Sequence, residues 1–171
     1  DPYTFTVGAT SQVMYQTINL KSGWNLISFS MNPLATDPQS LFQNAGSGDR
    51  LCPFWGFNQK EKSWYKAEFL AGGVGYLVFN SVTEIILSEI PGSPLLNICR
   101  TLSKGWNLIG ATDLTAKSTL FDLLPAWYWD NKQNLYLQTT EFTPTKGYWI
   151  YCPEKQTVPT GYTYLVIDLS G

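Results

Sequence analysis

Apolar and polar residues alternate along most of this chain in runs of four to eight, each closed by a Gly, Pro or Asn/Asp turn, and this period of two predicts strands. "YTFTVG" sets Tyr3, Phe5 and Val7 on one face against Thr4 and Thr6 on the other. In "SGWNLIS" and "KGWNLIG" the same alternation places Trp24 with Leu26, and Trp106 with Leu108, on the face expected to point into a core. Helical signals are sparse. "DPQSLFQN" offers Asp37 as an N-cap with Pro38 at the first helical position, and "KSTLFDLL" offers Ser118 or Thr119 as a cap. Two aromatic-armed hairpins follow these helices. "FWGFNQKEKSWYK" has a polar tip at 58–63, and "WYWDNKQNLYLQ" has one at 130–134.

The pattern occurs twice. "GWNLI" at Gly23 returns at Gly105, 82 positions on, and the segments around both copies align. "FNQKEKSWYKAEFLAGGVGYLVF" from Phe57 matches "WDNKQNLYLQTTEFTPTKGYWIY" from Trp129 at a constant offset of 72, which pairs Tyr76 with Tyr148 and Trp64 with Tyr136. The second copy is therefore about ten residues shorter in the loop between the two blocks, where such losses are tolerated. The expected class is mainly β with one short helix per unit: two tandem homologous modules plus extra terminal strands. The expected boundaries are an N-terminal strand extension at 1–17, a first module at 18–92, a second at 93–161 and a C-terminal strand at 162–171. Trp24, Leu26, Tyr76, Trp106, Leu108 and Tyr148 are the expected repeat core.

Composition sharpens this picture. Only 14% of residues are charged while 15% are aromatic, which suits β modules better than solvated helices. A net charge of −2 with scattered lysines gives no basic stripe, so nucleic acid is not an expected partner. No apolar run approaches the roughly 20 residues of a membrane-spanning helix. The chain opens strand-like, without a signal-peptide pattern, as a mature product or an excised part of a longer protein would. Cys52, Cys99 and Cys152 fit no metal or redox spacing. They are either buried small hydrophobes or a source of at most one internal disulfide, for which Cys99 and Cys152, both in the second copy, are the first choice.

The series K-x-G-W-N-L-I, then a Trp-aromatic hairpin, then K-G-Y-W-I, resembles the "GWNLI" repeat of secreted and surface-anchored bacterial and archaeal proteins. The resemblance spans 20–92 and 102–161 and is sharpest at 23–27, 105–109 and 146–150. The first copy departs from it at 73–77, where "GVGYL" stands in place of "KGYW". The resemblance implies an extracellular, non-enzymatic module at a cell surface.

With no histidine in the chain, Ser-His-Asp and Cys-His nucleophile systems and the usual zinc sites are excluded. "AGGVGY" lies between strands and opens no helix, so it reads as a turn and not as a nucleotide fingerprint. Asp130, Asn131 and Asn134 offer oxygens for calcium but lack the alternating acidic pattern of a calcium loop, and a solvated turn is the expectation. No cofactor is expected. The candidates for function are aromatic: Trp55, Trp64, Trp127, Tyr128, Trp129 and Tyr136 on the hairpin arms. A strand carrying Trp-Tyr-Trp must place an aromatic on each of its faces. The second face would meet the other unit, a carbohydrate ring or another protein chain. The expected function is a structural or interaction module at a cell surface, self-assembling through terminal strands in which Tyr3, Phe5 and Val7 insert; the alternative is a carbohydrate-binding module. Its partners would be copies of itself, other surface proteins or glycans.

Overall fold

In the computed structural model the described residues are 13–42, 51, 53–83, 86–95, 98–111 and 125–160. The fold is mainly β and its pairing is antiparallel throughout. The strands of the first unit are β1 (Met14–Leu20), β2 (Gly23–Ser28), β3 (Met31–Pro33), β4 (Phe54–Asn58), β5 (Ser63–Lys66), β6 (Gly75–Asn80) and β7 (Ile86–Pro94). The second has β8 (Ile98–Leu102), β9 (Gly105–Gly110), β10 (Ala126–Asp130), β11 (Leu135–Thr139), β12 (Gly147–Cys152) and β13 (Gln156–Thr160). Helix α1 (Pro38–Phe42) starts where expected: Ser40 N–H donates to Asp37 Oδ1 at 2.8 Å, which holds that carboxyl below its ordinary range, and Leu41 and Phe42 turn inward. The helix expected near Ser118 lies outside the described residues.

Each unit builds a four-stranded sheet of the same order, β2-β6-β4-β5 in the first and β9-β12-β10-β11 in the second. The registers agree residue for residue. Trp24 faces Phe79 and Ile27 faces Tyr76; Trp106 faces Tyr151 and Ile109 faces Tyr148. The first unit adds the order β1-β7-β3, and the second pairs β8 with β13. The divisions drawn at 17/18 and 92/93 fall inside β1 and β7, because Met14–Leu20 pairs continuously with Ile86–Gly92. No helix among the described residues is long and apolar enough to cross a membrane.

The repeat motif is built differently from the sequence expectation. Trp24 and Trp106 are 41% and 43% exposed and are not core residues; Asn25 and Asn107 are buried in their place. Gly23 and Gly105 take φ of +85° and +89°, a turn open to glycine without strain. Behind that turn Asn25 folds back. Its Oδ1 accepts Lys21 N–H at 2.9 Å, and its Nδ2 donates to Lys21 O at 2.7 Å and Gly23 O at 2.9 Å. Asn107 repeats the clamp on Ser103 N–H, Ser103 O and Gly105 O at 2.8, 2.9 and 2.8 Å. The clamp turns Asn and the next-but-one Ile inward, so Trp and Leu share the opposite face. Leu26 and Leu108 are buried, but at the junction of the units and not in either core cluster.

Each core forms on the other side of its sheet. In the first, Ile18, Leu20, Ile27, Phe29, Phe42, Phe54, Tyr76, Val78 and Ile90 pack together; in the second, Leu102, Ile109, Ala126, Tyr148, Ile150 and Cys152 do. Tyr76 and Tyr148 sit at matched positions, their hydroxyls accepting Ala71 N–H at 2.8 Å and Thr143 N–H at 2.6 Å. Burial pushes the Tyr76 phenol up to about 12 and the Tyr148 phenol up as well. Cys152 is buried in the second core; Cys52 and the side chain of Cys99 lie outside the described residues, and with them the expected pairing.

Candidate functional site: two clefts at the unit junction

The two units meet by a reciprocal seam. Ile27 bridges Lys146 and Ile109 bridges Val74, and these are the same pair of positions exchanged. Ser28 N–H donates to Thr145 O at 2.9 Å, and Gly110 N–H to Gly73 O at 3.0 Å, again an exchanged pair. Each hairpin tip crosses to the other unit: Gln59 Nε2 donates to Leu108 O and Lys62 Nζ to Trp106 O, while Asn131 Nδ2 donates to Trp24 O. This is the self-complementary arrangement of a two-fold dimer, made within one chain. Two clefts border the seam.

The first is aromatic. Phe57 of the first unit and Trp106, Trp127, Tyr136 and Trp149 of the second line a cleft of about 430 Å³. The cross-strand registers explain the grouping. Trp106, Tyr151, Trp149 and Trp127 occupy neighbouring positions on the same sheet face, and Tyr136 lies opposite Trp129 on the next strand. Trp149 crosses to Phe57 and Trp64 with ring centroids 4.9 and 5.6 Å away, and Trp106 lies 5.1 Å from Trp127 and 5.3 Å from Tyr151. All four contacts are edge-to-face, the favoured geometry, worth about 0.5–1.5 kcal/mol per pair beyond burial. The rings therefore hold one another while Trp64, Trp106, Tyr136 and Tyr151 each keep two-fifths or more of their surface exposed. Among the described residues no carboxylate lines this cleft.

The second cleft, of about 280 Å³, is polar. Asn19, Lys21 and Asn25 of the first unit and Tyr128, Trp129, Asp130, Asn131, Thr145 and Lys146 of the second contribute to its walls. Asp130 Oδ1 accepts Lys132 N–H at 2.8 Å and Gln133 N–H at 2.9 Å. The Gln133 bond leads in holding this carboxyl below its ordinary range, with Lys132 N–H and then the Lys21 charge adding to it. Asp130 thus closes a hairpin turn, as Asn58 does at the other tip through Lys60 and Glu61 N–H. No cluster of three metal-ligating side chains occurs among the described residues.

Of the aromatics singled out from sequence, the structure gathers Trp64, Trp127 and Tyr136 around the first cleft and places Tyr128 and Trp129 in the second. Trp55 lies opposite Leu77 and Lys66 and lines neither. Tyr3, Phe5 and Val7 lie outside the described residues. Sequence reasoning missed Trp106 as a site residue, and it missed Phe57, Trp149 and Tyr151 altogether. A signal for Trp149 was present, since it stands where the first copy departs from the repeat with Leu77. No family model, curated protein or solved structure matches this chain.

Proposed function

We propose that this chain is a non-catalytic extracellular binding module that holds a carbohydrate chain in the aromatic cleft. The observation that carries the reading is the array of rings around Trp149: Phe57 and the half-exposed Trp64 and Trp106 held edge-to-face against it, with half-exposed Tyr151 against Trp106. A pyranose has an apolar C–H face and a polar rim. Trp and Tyr rings match it with a flat apolar face and a polar edge. The volume of the cleft lies within the range of small-ligand sites, roughly 300–1,000 Å³. Among the described residues the lining carries no carboxylate, whereas glycosidic hydrolysis uses a pair of them. The resemblance of both units to the GWNLI-type repeat supports the extracellular, cell-surface setting.

The test is a glycan array followed by titration of the best binder, monitored by tryptophan fluorescence. Trp106→Ala and Trp149→Ala should each weaken binding by at least tenfold with the fold retained. Absence of any retained glycan overturns the reading, and retention of peptides in its place transfers the cleft to protein recognition. A second reading, assembly between chains, is favoured by β1, which among the described residues pairs only with β7 and presents Val13 and Tyr15 exposed beside its open edge. Placing charge on that edge with Val13→Lys and Tyr15→Lys should then abolish self-association with both units still folded; an unchanged oligomeric state removes this reading.

A further inference from the structure

The polar cleft is not a diluted copy of the aromatic one. Under the offsets that relate the units, its Lys21, Tyr128, Trp129, Asp130, Asn131 and Lys146 correspond to Ser103, Gly56, Phe57, Asn58, Gln59 and Val74. Both ammonium groups and both rings with a polar edge are thus particular to one side of the pseudo-two-fold axis. Duplication alone does not require such a set, and it converges on one cavity.

Its walls are held from both units. The clamp of Asn25 on Lys21 N–H and O fixes the backbone that carries the first ammonium. The bridge between Ile27 and Lys146, with Ser28 Oγ donating to Lys146 O at 2.7 Å, fixes the second. Lys146 Nζ stands 5.0 Å from the centre of the Tyr128 ring, a cation–π contact that orients it. Asn131 is tied to Trp24 O and to Asn25 Oδ1, the latter at 3.3 Å.

Two features of the cleft are unfavourable for the protein by itself. Among the described residues the buried indole N–H of Trp129 has no hydrogen-bond partner, which leaves a donor unused. Thr145 takes φ of +75°, a region β-branched residues avoid, where its counterpart is Gly73 at φ +73°. Strain retained where the twin position is relaxed points to a local requirement of the cleft.

We propose that this cleft binds an acidic sugar, its carboxylate between the Lys21 and Lys146 ammoniums and its hydroxyls on Asn19, Asn131 and Asp130. Tyr128 and Trp129 supply flat walls for the sugar ring. Two lysines against one aspartate leave the cleft with net positive charge on a chain that is negative overall, which favours an anion there. Asp130 opposes the carboxylate and so tempers its affinity. The proposal rests on a different cavity from the aromatic cleft and stands whether or not that cleft holds a glycan.

The experiment is an NMR titration of the intact chain with sodium glucuronate, glucose and sodium sulfate, following the Trp129 indole N–H resonance, identified by its loss in Trp129→Phe. Glucuronate should shift that resonance saturably, whereas glucose and sulfate each bind at least tenfold more weakly. Lys21→Gln and Lys146→Gln should each weaken glucuronate by about tenfold with the rest of the spectrum intact. Asp130→Asn, which keeps an acceptor for the turn, should tighten it several-fold. Trp106→Ala should leave it unchanged, so failure at one cleft is read separately from failure at the other. No saturable shift with glucuronate overturns the proposal, as does equal binding of glucose, equal binding of sulfate, or indifference to both lysine substitutions.

Discussion

Asn25 and Asn107 decide which face of their strands turns inward. Each makes three hydrogen bonds to the turn before it from a buried position, and each thereby sends the neighbouring Trp outward. The alternation of these strands was legible in the sequence, but its phase was not. In "GWNLI" a lone polar residue between Trp and Leu reads as the solvent side, and a shift of one residue inverts every assignment. Only the reach of the amide back to the i−4 backbone shows otherwise, and that is tertiary geometry. Asn25→Ala and Asn107→Ala should therefore each cost about 2–3 kcal/mol, from lost hydrogen bonds and stranded backbone groups. Trp24→Ala should cost less than about 2 kcal/mol, below the range of a buried Trp truncation. Urea denaturation of the three variants checks the order; a Trp24 loss above the Asn25 loss would restore the tryptophan to the core. Thr145 argues the reverse case. Replacing it with Gly, as at position 73, relieves a positive φ of 75° and should raise stability by roughly 0.5–2 kcal/mol, read from the same denaturation midpoints.

At the scale of elements, the hairpins were the most legible part of the chain, since polar tips between aromatic arms carry their own turn chemistry. Asn58 and Asp130 accept two backbone N–H bonds each, and Lys62 and Asn134 close the tips at φ of 55° and 53°. Helix α1 was equally readable from Asp37 and Pro38. The strand carrying Tyr76 adds a pH dependence that sequence does not show. Its buried hydroxyl accepts Ala71 N–H, and burial raises its folded pKa from an ordinary 10.0 to about 12. Between those values the unfolded chain has lost a proton that the folded chain keeps, so stability falls as pH rises. The stabilisation is full below pH 10, and about 2–3 kcal/mol of it is lost by pH 12. Tyr148 shifts in the same direction and adds to the slope. Denaturation midpoints measured from pH 9 to 12 should decline, and Tyr76→Phe should flatten part of that decline while lowering stability at neutral pH. A midpoint independent of pH in this window would place the phenol in solvent.

At the scale of the whole molecule, the duplication was legible and its consequence was not. The two offsets identify equivalent residues, yet both clefts draw on residues of both units brought together by the seam. No window of sequence contains Phe57 with Trp149, or Lys21 with Lys146. The seam also explains where the copies must differ. Ser28 and Gly110 are equivalent positions that face one another across the pseudo-two-fold axis, and a Cβ on Gly110 would lie 2.3 Å from Ser28 Cβ. Only one of the two can carry a side chain. Ser28 uses it to donate to Lys146 O at 2.7 Å. Making the repeats more alike by Gly110→Ser should therefore destabilise the protein by about 1–3 kcal/mol through overpacking, although the same residue is accommodated in the twin position. The exchange Ser28→Gly with Gly110→Ser should recover most of that loss, because the hydroxyl then faces Val74 O in the equivalent geometry. Such a recovery is a coupling between contacting sites, and a double-mutant cycle on denaturation free energies measures it directly. Additive losses in the double variant would mean that the two positions do not meet, and the reciprocal seam would have to be abandoned.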